Sequence, residues 1–254
     1  MPGGRSGGVG RRARAGGALA SRWAFRLARS RFAGVLVRWV FANAVWALPV
    51  RRVEVTPRAI AFHHPRPGWP LHLLIVPRVG IADAMSIRQS ELPYLAAMFN
   101  AATRLSAGHD PGEHPIALVI NAGIHQDVGQ LHAHLIAGAD VPRYTCPPDS
   151  DLGHTFATGQ FVVRAHSSPS RETHLVLRRL ADRTGEEKFA PMDAALAGDL
   201  GTIVERLLTA AEPPLTGWSL IAGMVAGTLD LSCLHLVSGP PPRPESLAPV
   251  SWPG

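Results

Sequence analysis

Two histidines with the spacing of alternate strand residues offer the clearest chemistry in the sequence. His132 and His134 are separated by one residue within an apolar stretch, and alternate residues of a β-strand share one face. Gln130, His132 and His134 would therefore line one face, with the apolar residues between them on the other. Burying unpaired polar groups costs on the order of 1–3 kcal/mol each, so three in a row require partners or a chemical role.

Spacing alone leaves three interpretations of this polar row open. The histidines can be core residues whose ring nitrogens are satisfied by neighbours, they can be metal ligands, or one of them can be a catalytic imidazole. A metal site needs three or four ligands, and no cysteine or carboxylate stands at a telling offset along the chain. A catalytic site would use one imidazole as the nucleophile, with neighbours that hold its tautomer and supply a proton.

Segments upstream of the histidines favour the catalytic interpretation. Residues 61–67 read Ala-Phe-His-His-Pro-Arg-Pro, residues 70–78 form an apolar segment that contains His72, and residues 117–123 read Ala-Leu-Val-Ile-Asn-Ala-Gly. Together with the Gln-x-His-x-His motif that begins at Gln130, these blocks resemble the histidine triad (HIT) superfamily of nucleotide hydrolases and transferases. The resemblance covers roughly residues 40–140, and Gln130 replaces the first histidine of the family motif.

The resemblance implies a two-step reaction at the α-phosphate of a nucleotide phosphoramidate, ester or anhydride. His132 would be the nucleophile and would carry a nucleotidyl-histidine intermediate, which water or a second acceptor then resolves. His134, His72 and Gln130 complete the implied catalytic group, and no metal or other cofactor is required. Gln130 cannot shuttle a proton, although its amide could orient His132. The alternative function is therefore a nucleotide-binding or scaffold protein with little catalytic turnover.

The same resemblance implies a group of substrate-binding residues around the histidines. Gln126 would contact phosphate oxygens or the bridging atom, and Asn121 would hydrogen-bond to phosphate or ribose. Backbone amides near Val128-Gly129 would hold the anion, and Asp127 lies close to the site. Where many relatives place an aspartate for the ribose hydroxyls, this chain has His64, so the nucleoside preference is left open.

The hydrophobic pattern predicts an α+β fold in which a helix packs on an antiparallel sheet, as the resemblance also implies. Residues 90–106 have apolar side chains at helical spacing. Apolar segments punctuated by proline and glycine predict the strands. These strands are expected at about 50–56, 58–63, 71–77, 116–121 and 130–137.

The second half of the chain repeats the first, which predicts a tandem duplication. His64 and His72 match His166 and His174 at a constant offset of 102 positions. A second helix is expected at about 191–211, followed by strands that match those around Asn121 and His134.

The second copy is predicted to be degenerate because residues needed for the reaction are replaced. By the resemblance, this copy would supply the interface through which HIT proteins commonly pair. The chain would then be an intrachain pseudo-dimer and a monomer in solution. The replacements are Leu231, Cys233 and Ala222 at the positions of Gln130, His132 and Asn121.

The basic residues of the chain are concentrated at its N-terminus. Eleven of the 25 basic residues precede Glu54, the first acidic residue, which leaves 14 basic against 19 acidic residues and a net charge of −5 for the remainder. A basic, tryptophan-rich arm can contact nucleic acid or an anionic membrane surface. The expected location is the cytoplasm, with the arm at the inner face of the membrane.

Composition and repeats together predict four regions in the chain. The two cysteines are too few for a disulfide framework. The N-terminal arm (residues 1–39) is expected to be partly disordered or an amphipathic helix. The proline-rich tail (residues 241–254) is expected to be disordered. A helix is also expected at 40–48, immediately before the first strand. The regions are the arm at 1–39, the catalytic domain at 40–145, the degenerate domain at 155–240 and the proline-rich tail at 241–254.

Overall fold

Ten strands form one antiparallel sheet that runs through both halves of the chain. The computed structural model describes residues 50–107, 109, 114–148, 153, 156–158, 160–180, 191–210, 215–225 and 228–239. The strands lie in the order β1-β2-β3-β5-β4-β9-β10-β8-β7-β6. Their bounds are β1 Arg52–Val55, β2 Ala59–His63, β3 Leu71–Pro77, β4 Ile116–Gly123, β5 Ala133–Ala137, β6 Phe156–Thr158, β7 Phe161–Ala165, β8 Thr173–Arg179, β9 Gly217–Val225 and β10 Thr228–Ser238.

Two helices cover the same face of this sheet, which confirms the predicted α+β fold. Helix α1 (Leu92–Ser106) has a proline in its first turn and buries Met98 and Phe99 against the strands of the first half. Helix α2 (Ala194–Ala210) covers the second half. Two hydrogen bonds connect α1 to Met192, which lies just before α2. The Asn100 side chain donates from Nδ2 to the Met192 carbonyl at 2.8 Å, and its Oδ1 accepts from the Met192 main-chain amide at 3.0 Å.

The two halves meet at the antiparallel pair formed by β4 and β9. Its register places Val119 opposite Ile221 and Asn121 opposite Ser219. Among the described residues, each half contributes five strands and one α-helix, with matching strand order on either side of this junction. The common origin of the halves by duplication stays a prediction.

The alternation of side chains divides the sheet into a helix face and an open face. Leu118, Leu135 and Leu234 point into the core beneath the helices and are at most 1% exposed. The residues one step along each strand, such as His134 and His235, lie on the opposite face. We call this second face the histidine face.

The strand predicted at 130–137 begins later than expected, at Ala133. The main-chain amides just before Ala133 do not take part in strand pairing. The Gln130 amide donates to the Val128 carbonyl, and the Leu131 amide donates to the Ile81 carbonyl. The first predicted helix also begins later, at Leu92, after a 3-10 turn at Gln89–Glu91.

Strand pairing corrects one match between the halves. Val119 is opposite His134 in the first half, and Ile221 is opposite His235 in the second. Val119 therefore corresponds to Ile221. Asn121 lies two residues after Val119, so its counterpart is Gly223, two residues after Ile221. The assignment of Ala222 to this position was wrong, because Ala222 lies on the helix face.

The segment that connects the halves crosses the histidine face of the second half. In this linker (residues 138–148), the carbonyl oxygen of Tyr144 lies only 1.6 Å from where a Cβ on Gly223 would stand. Further along, the Arg178 guanidinium donates to the Pro147 carbonyl at 2.5 Å. The linker therefore packs directly on the backbone of β9, and glycine is required beneath it.

The predicted arm (1–39), the helix at 40–48 and the tail (241–254) lie outside the described residues. Within the part of the chain that the structure describes, neither helix combines the length and apolar character needed to span a bilayer.

Substituting Gly223 with alanine tests the linker contact. A methyl group at this position overlaps the Tyr144 main chain, so we expect Gly223→Ala to lower the free energy of unfolding by at least about 2 kcal/mol. The control is Gly201→Ala on α2, where a Cβ meets nothing within 4 Å. This control should raise stability by roughly 0.5–1 kcal/mol. Urea denaturation measures both changes, and equal stability of Gly223→Ala and wild type would contradict the packing.

Candidate active site

Four histidines of the first half converge on the histidine face. His64 follows β2, His72 lies on β3, His132 directly precedes β5 and His134 lies on β5. Leu74 is opposite His134 in the β3–β5 ladder, so His72, two residues away, shares its face. The ring centroids of His72 and His134 are 5.2 Å apart, and those of His132 and His134 are 4.8 Å apart. The structure thus brings these four predicted residues together.

His132 is held in the form that a nucleophile requires. Its Nδ1 lies 2.8 Å from the main-chain oxygen of Gln130, which can only accept, so Nδ1 carries the proton and Nε2 carries the lone pair. The side chain is 8% exposed. Burial lowers the pKa of His132, while the Gln130 carbonyl and the Asp127 carboxylate act in the opposite direction. A neutral imidazole with a free Nε2 results.

A chain of hydrogen bonds fixes the tautomers of His72 and His134. The Gly68 amide donates to Nδ1 of His72 at 3.1 Å, which places the His72 proton on Nε2. That Nε2 lies 2.9 Å from Nδ1 of His134, which therefore accepts, and the His134 proton is on its own Nε2. Burial, reinforced by the neighbouring histidines, lowers the pKa of His72 to about 4 and that of His134 to about 3. His134 thus offers a neutral N–H donor.

His64 stacks on this chain. Its ring is 4.0 Å from that of His72 with an interplanar angle of 7°, and its Nδ1 accepts from the Arg66 amide at 3.0 Å. Burial lowers the pKa of His64 below its usual value. The rings of Trp69 and His72 are also in contact, in a T-shaped arrangement with their centroids 5.1 Å apart.

The same histidines raise the question of a metal ion. Ligand atoms of His64, His72 and His134 lie within 4.8 Å of one another. Both ring nitrogens of His72 are already engaged, one as acceptor from Gly68 and one as donor to His134. A metal at this point would have to displace one of these hydrogen bonds, so the arrangement fits a hydrogen-bonded array better than a ligand set.

Two glutamines hold the segment around His132 through hydrogen bonds. Gln130 holds His132 through its main-chain oxygen rather than through its amide, which instead donates to the Val79 carbonyl at 3.2 Å. Gln126 donates from Nε2 to the carbonyls of Ala82 at 2.7 Å and Val128 at 2.6 Å. Through these two hydrogen bonds Gln126 fixes the loop before His132, and its contact with phosphate stays a prediction.

That loop contains the remaining predicted anion contacts. The Val128 carbonyl accepts from both the Gln126 side chain and the Gln130 amide, which closes a tight turn beside His132. Asp127 is close enough for its charge to act on His132. Binding of an anion by the amides of Val128-Gly129 stays a prediction.

Asn121 is oriented by a residue that sequence reasoning missed. Ser219 of the second half donates its hydroxyl to Oδ1 of Asn121 at 2.7 Å, which leaves Nδ2 of Asn121 as a donor without a partner among the described residues. The same hydroxyl oxygen lies 3.2 Å from Nδ1 of His125. Nothing in the sequence near Ser219 signals this role, because it arises from the β4–β9 register.

The second half repeats the histidine array. The Ser170 amide donates to Nδ1 of His174 at 3.1 Å, and Nε2 of His174 lies 2.9 Å from Nδ1 of His235. The ring of His166 stacks on that of His174 at 4.4 Å. Burial lowers the pKa of His174 to about 3 and that of His235 to about 4.

The second array nevertheless lacks what the first has around its nucleophile. Cys233 takes the place of His132, and Gly223 takes that of Asn121. Over these positions runs the linker, with the ring of Tyr144 5.3 Å from that of His235. Within the described residues, the first half alone therefore combines a histidine array with a histidine at position 132 and an asparagine at position 121.

Comparison with known proteins places this site in a family. The HIT domain family model matches residues 48–141. An uncharacterized 13.2 kDa HIT-like protein of Azospirillum brasilense is 32% identical over 95 residues, which are 36% of this chain and 77% of that protein. An uncharacterized HIT-like protein of Buchnera aphidicola is 23% identical over 109 residues, covering 42% of this chain and 96% of that protein.

Solved structures match the fold across both halves. A GalT-like protein from Arabidopsis thaliana aligns with a TM-score of 0.56 and 11% identity, covering 80% of this chain and 83% of that one. An ADP-glucose phosphorylase from the same plant, solved with bound ADP-glucose, aligns with a TM-score of 0.55 and 11% identity, covering 84% and 82%. At this identity the likeness concerns the fold alone. On the family match, the relatives and the histidine site together, the chain belongs to the HIT superfamily.

Proposed function

We propose that this chain is a nucleotide hydrolase or nucleotidyl transferase that forms a covalent nucleotidyl intermediate on His132. Membership of the HIT superfamily supports an enzyme with nucleotide-related hydrolase or transferase activity. The observation that carries the finer proposal is the hydrogen bond from Nδ1 of His132 to the Gln130 carbonyl. It leaves Nε2 as an unprotonated nitrogen that faces the same side of the sheet as the neighbouring histidines.

In the first step, Nε2 of His132 attacks the α-phosphorus, and the bond from phosphorus to the leaving group breaks. The positive charge that develops on the imidazole is shared through Nδ1–H with the Gln130 carbonyl. Nε2–H of His134 donates to a phosphate oxygen and stabilises its charge. In the second step, the oxygen of water or of another hydroxyl acceptor attacks phosphorus, and the bond between phosphorus and Nε2 of His132 breaks. The attacking group loses its proton to solvent, and His132 returns to its neutral state.

Because position 130 is a glutamine and not a histidine, we expect the site to favour leaving groups that need no proton. An amide has no acidic proton to transfer, so the residue cannot protonate a departing amine or alkoxide. A phosphate leaving group departs as a stable anion and needs no such proton. We therefore expect anhydrides, such as dinucleoside polyphosphates and nucleotide sugars, to react faster than phosphoramidates.

Removal of the nucleophile tests the proposal. We expect His132→Ala to reduce kcat/KM by at least about a thousandfold, since the covalent route is lost. The matched control is Cys233→Ala, which changes the corresponding position of the second half and should leave activity unchanged. Nucleotide release is measured with nucleoside phosphoramidates, dinucleoside polyphosphates, nucleotide sugars including ADP-glucose, and CDP-lipid.

A direct readout complements the rates. Rapid acid or base quench of wild type with substrate, followed by mass spectrometry, should locate a nucleotidyl adduct on the peptide that contains His132. Folded wild-type protein that is stabilised by nucleotides but releases no product across the panel would refute the enzymatic proposal. It would instead support the nucleotide-binding or scaffold alternative.

The pH profile provides a second test. Because burial lowers the pKa of His132, its lone pair persists below pH 6.5, the usual histidine value. We expect kcat/KM to stay level as pH falls from 8 through 6.5 and to decline only at lower pH. An acid limb centred at or above the usual value would contradict a buried neutral nucleophile.

Stability must be recorded at each pH, because the same histidines affect it. In the unfolded chain these groups bind protons near pH 6.5, whereas in the folded chain they bind only at lower pH, toward 4 and 3 for His72 and His134. The unfolded state therefore binds more protons in this window, and folding stability falls as pH drops below 6.5. Circular dichroism at each pH separates unfolding from titration of the nucleophile.

Ser219 provides a third test because it orients Asn121 from the second half. Ser219→Ala removes the hydroxyl that donates to Oδ1 of Asn121, so we expect KM to rise by about 3- to 10-fold with a smaller change in kcat. Ser219→Thr keeps the hydroxyl and should restore KM. The control is Ser238→Ala, whose hydroxyl donates to the Gly217 carbonyl instead. Failure of threonine to rescue would show that Ser219 acts only through packing.

A further inference from the structure

The chain contains two cysteines, and the fold brings them together in the second half. Cys233 lies on β10 at the position that His132 has in the first half, and it is 2% exposed. Cys146 lies in the linker and is partly accessible. The two side chains are close enough for each thiol to act on the pKa of the other. Neither residue belongs to the proposed active site.

Contacts on both sides of Cys146 determine this approach. Tyr144 packs its ring against that of His235, two residues from Cys233 on the same strand face. Pro147 accepts a hydrogen bond from Arg178, which is directly opposite Cys233 in the β8–β10 ladder. The path of the linker, rather than the rotamer of one side chain, therefore sets Cys146 over Cys233.

The surroundings give the two thiols different reactivity. The neighbouring Cys233 side chain and the Arg178 guanidinium lower the pKa of Cys146 to about 7, against the effect of burial. The neighbouring Cys146 and burial raise the pKa of Cys233. Because the thiolate is the reactive form, Cys146 is the thiol that reacts first with a reagent in solution.

We propose that Cys146 and Cys233 form a site of reversible disulfide formation whose oxidant is a small-molecule disulfide such as oxidised glutathione. The Cys146 thiolate attacks one sulfur of the oxidant, forms a mixed disulfide and releases the first small thiolate. The Cys233 thiol then gives its proton to the released small thiolate, and its sulfur attacks the sulfur of Cys146. The mixed disulfide bond breaks, and the second small thiolate leaves and takes a proton from solvent. Two protein thiols are oxidised, and one small disulfide is reduced to two thiols.

The bond attaches the linker covalently to β10. The linker already lies across Gly223 and covers the histidine array of the second half, so the disulfide joins two segments that already pack together. The buried Cys233 requires no access from solvent, because its attack is intramolecular. The proposal is independent of the nucleotide chemistry at His132.

Intact mass spectrometry tests the proposal on the full chain. Native protein is incubated with oxidised glutathione, quenched in acid and treated with an alkylating agent after unfolding. We expect the wild type to lose the mass of two hydrogens, to resist alkylation and to yield a cross-linked peptide pair containing Cys146 and Cys233. Dithiothreitol should restore both thiols. Thermal melting should shift upward on oxidation and return on reduction.

Single substitutions separate the two roles. Cys233→Ser lacks the second thiol, so a glutathione adduct should accumulate on Cys146. Cys146→Ser should remain unmodified, because Cys233 is buried. Wild type with both thiols free, a lasting glutathione adduct on wild type, or disulfides between chains would each overturn the proposal.

A comparison within the wild type avoids reliance on the folding of variants. If the fold presents the pair, the disulfide should form at least about tenfold faster in native protein than in urea-unfolded protein, because the effective concentration of one thiol at the other is higher. Equal rates in the two states would overturn the proposal.

Discussion

The antiparallel pairing of β4 with β9 is the interaction on which the rest of the structure depends. It continues the hydrogen-bond ladder of one half into the other, so neither β4 nor β9 presents an unpaired edge. Its register also aligns the pleats of the two halves. Both helices therefore cover one face, both histidine arrays occupy the other, and Ser219 comes beside Asn121.

Main-chain groups, rather than acidic side chains, control the chemistry of the histidines. A backbone amide at Gly68 sets the tautomer of His72, and a backbone carbonyl at Gln130 sets that of His132. Backbone donors and acceptors cannot titrate, so the protonation pattern persists while burial keeps the rings neutral. In the second array the main-chain amide of Ser170 sets the tautomer of His174 in the same way. A histidine array of this kind is thus a structural feature of both halves, and the halves differ in the residue at position 132, whose counterpart in the second half is Cys233.

The linker accounts for the divergence of the second half in physical terms. Its main chain lies so close to β9 that position 223 tolerates no side chain, which removes the counterpart of Asn121. Its Cys146 lies beside Cys233, the counterpart of His132. The second half, which lacks counterparts of His132 and Asn121, contributes Ser219 to the site across the junction.

The order of residues along the chain was enough to predict the strands and helices of the two halves. It was also enough to identify histidine side chains as the groups of the candidate site. Alternation of apolar residues around His132 and His134 places both on one face, and the offset between His72 and His174 reveals the matching halves. Only the tertiary structure decided the direction of the Gln130 side chain, the match of Asn121 with Gly223 rather than Ala222, and the contact between the cysteines. The physical reason is that a one-residue change in register moves every side chain to the other face, and local patterns carry no information about the register between strands distant in the chain.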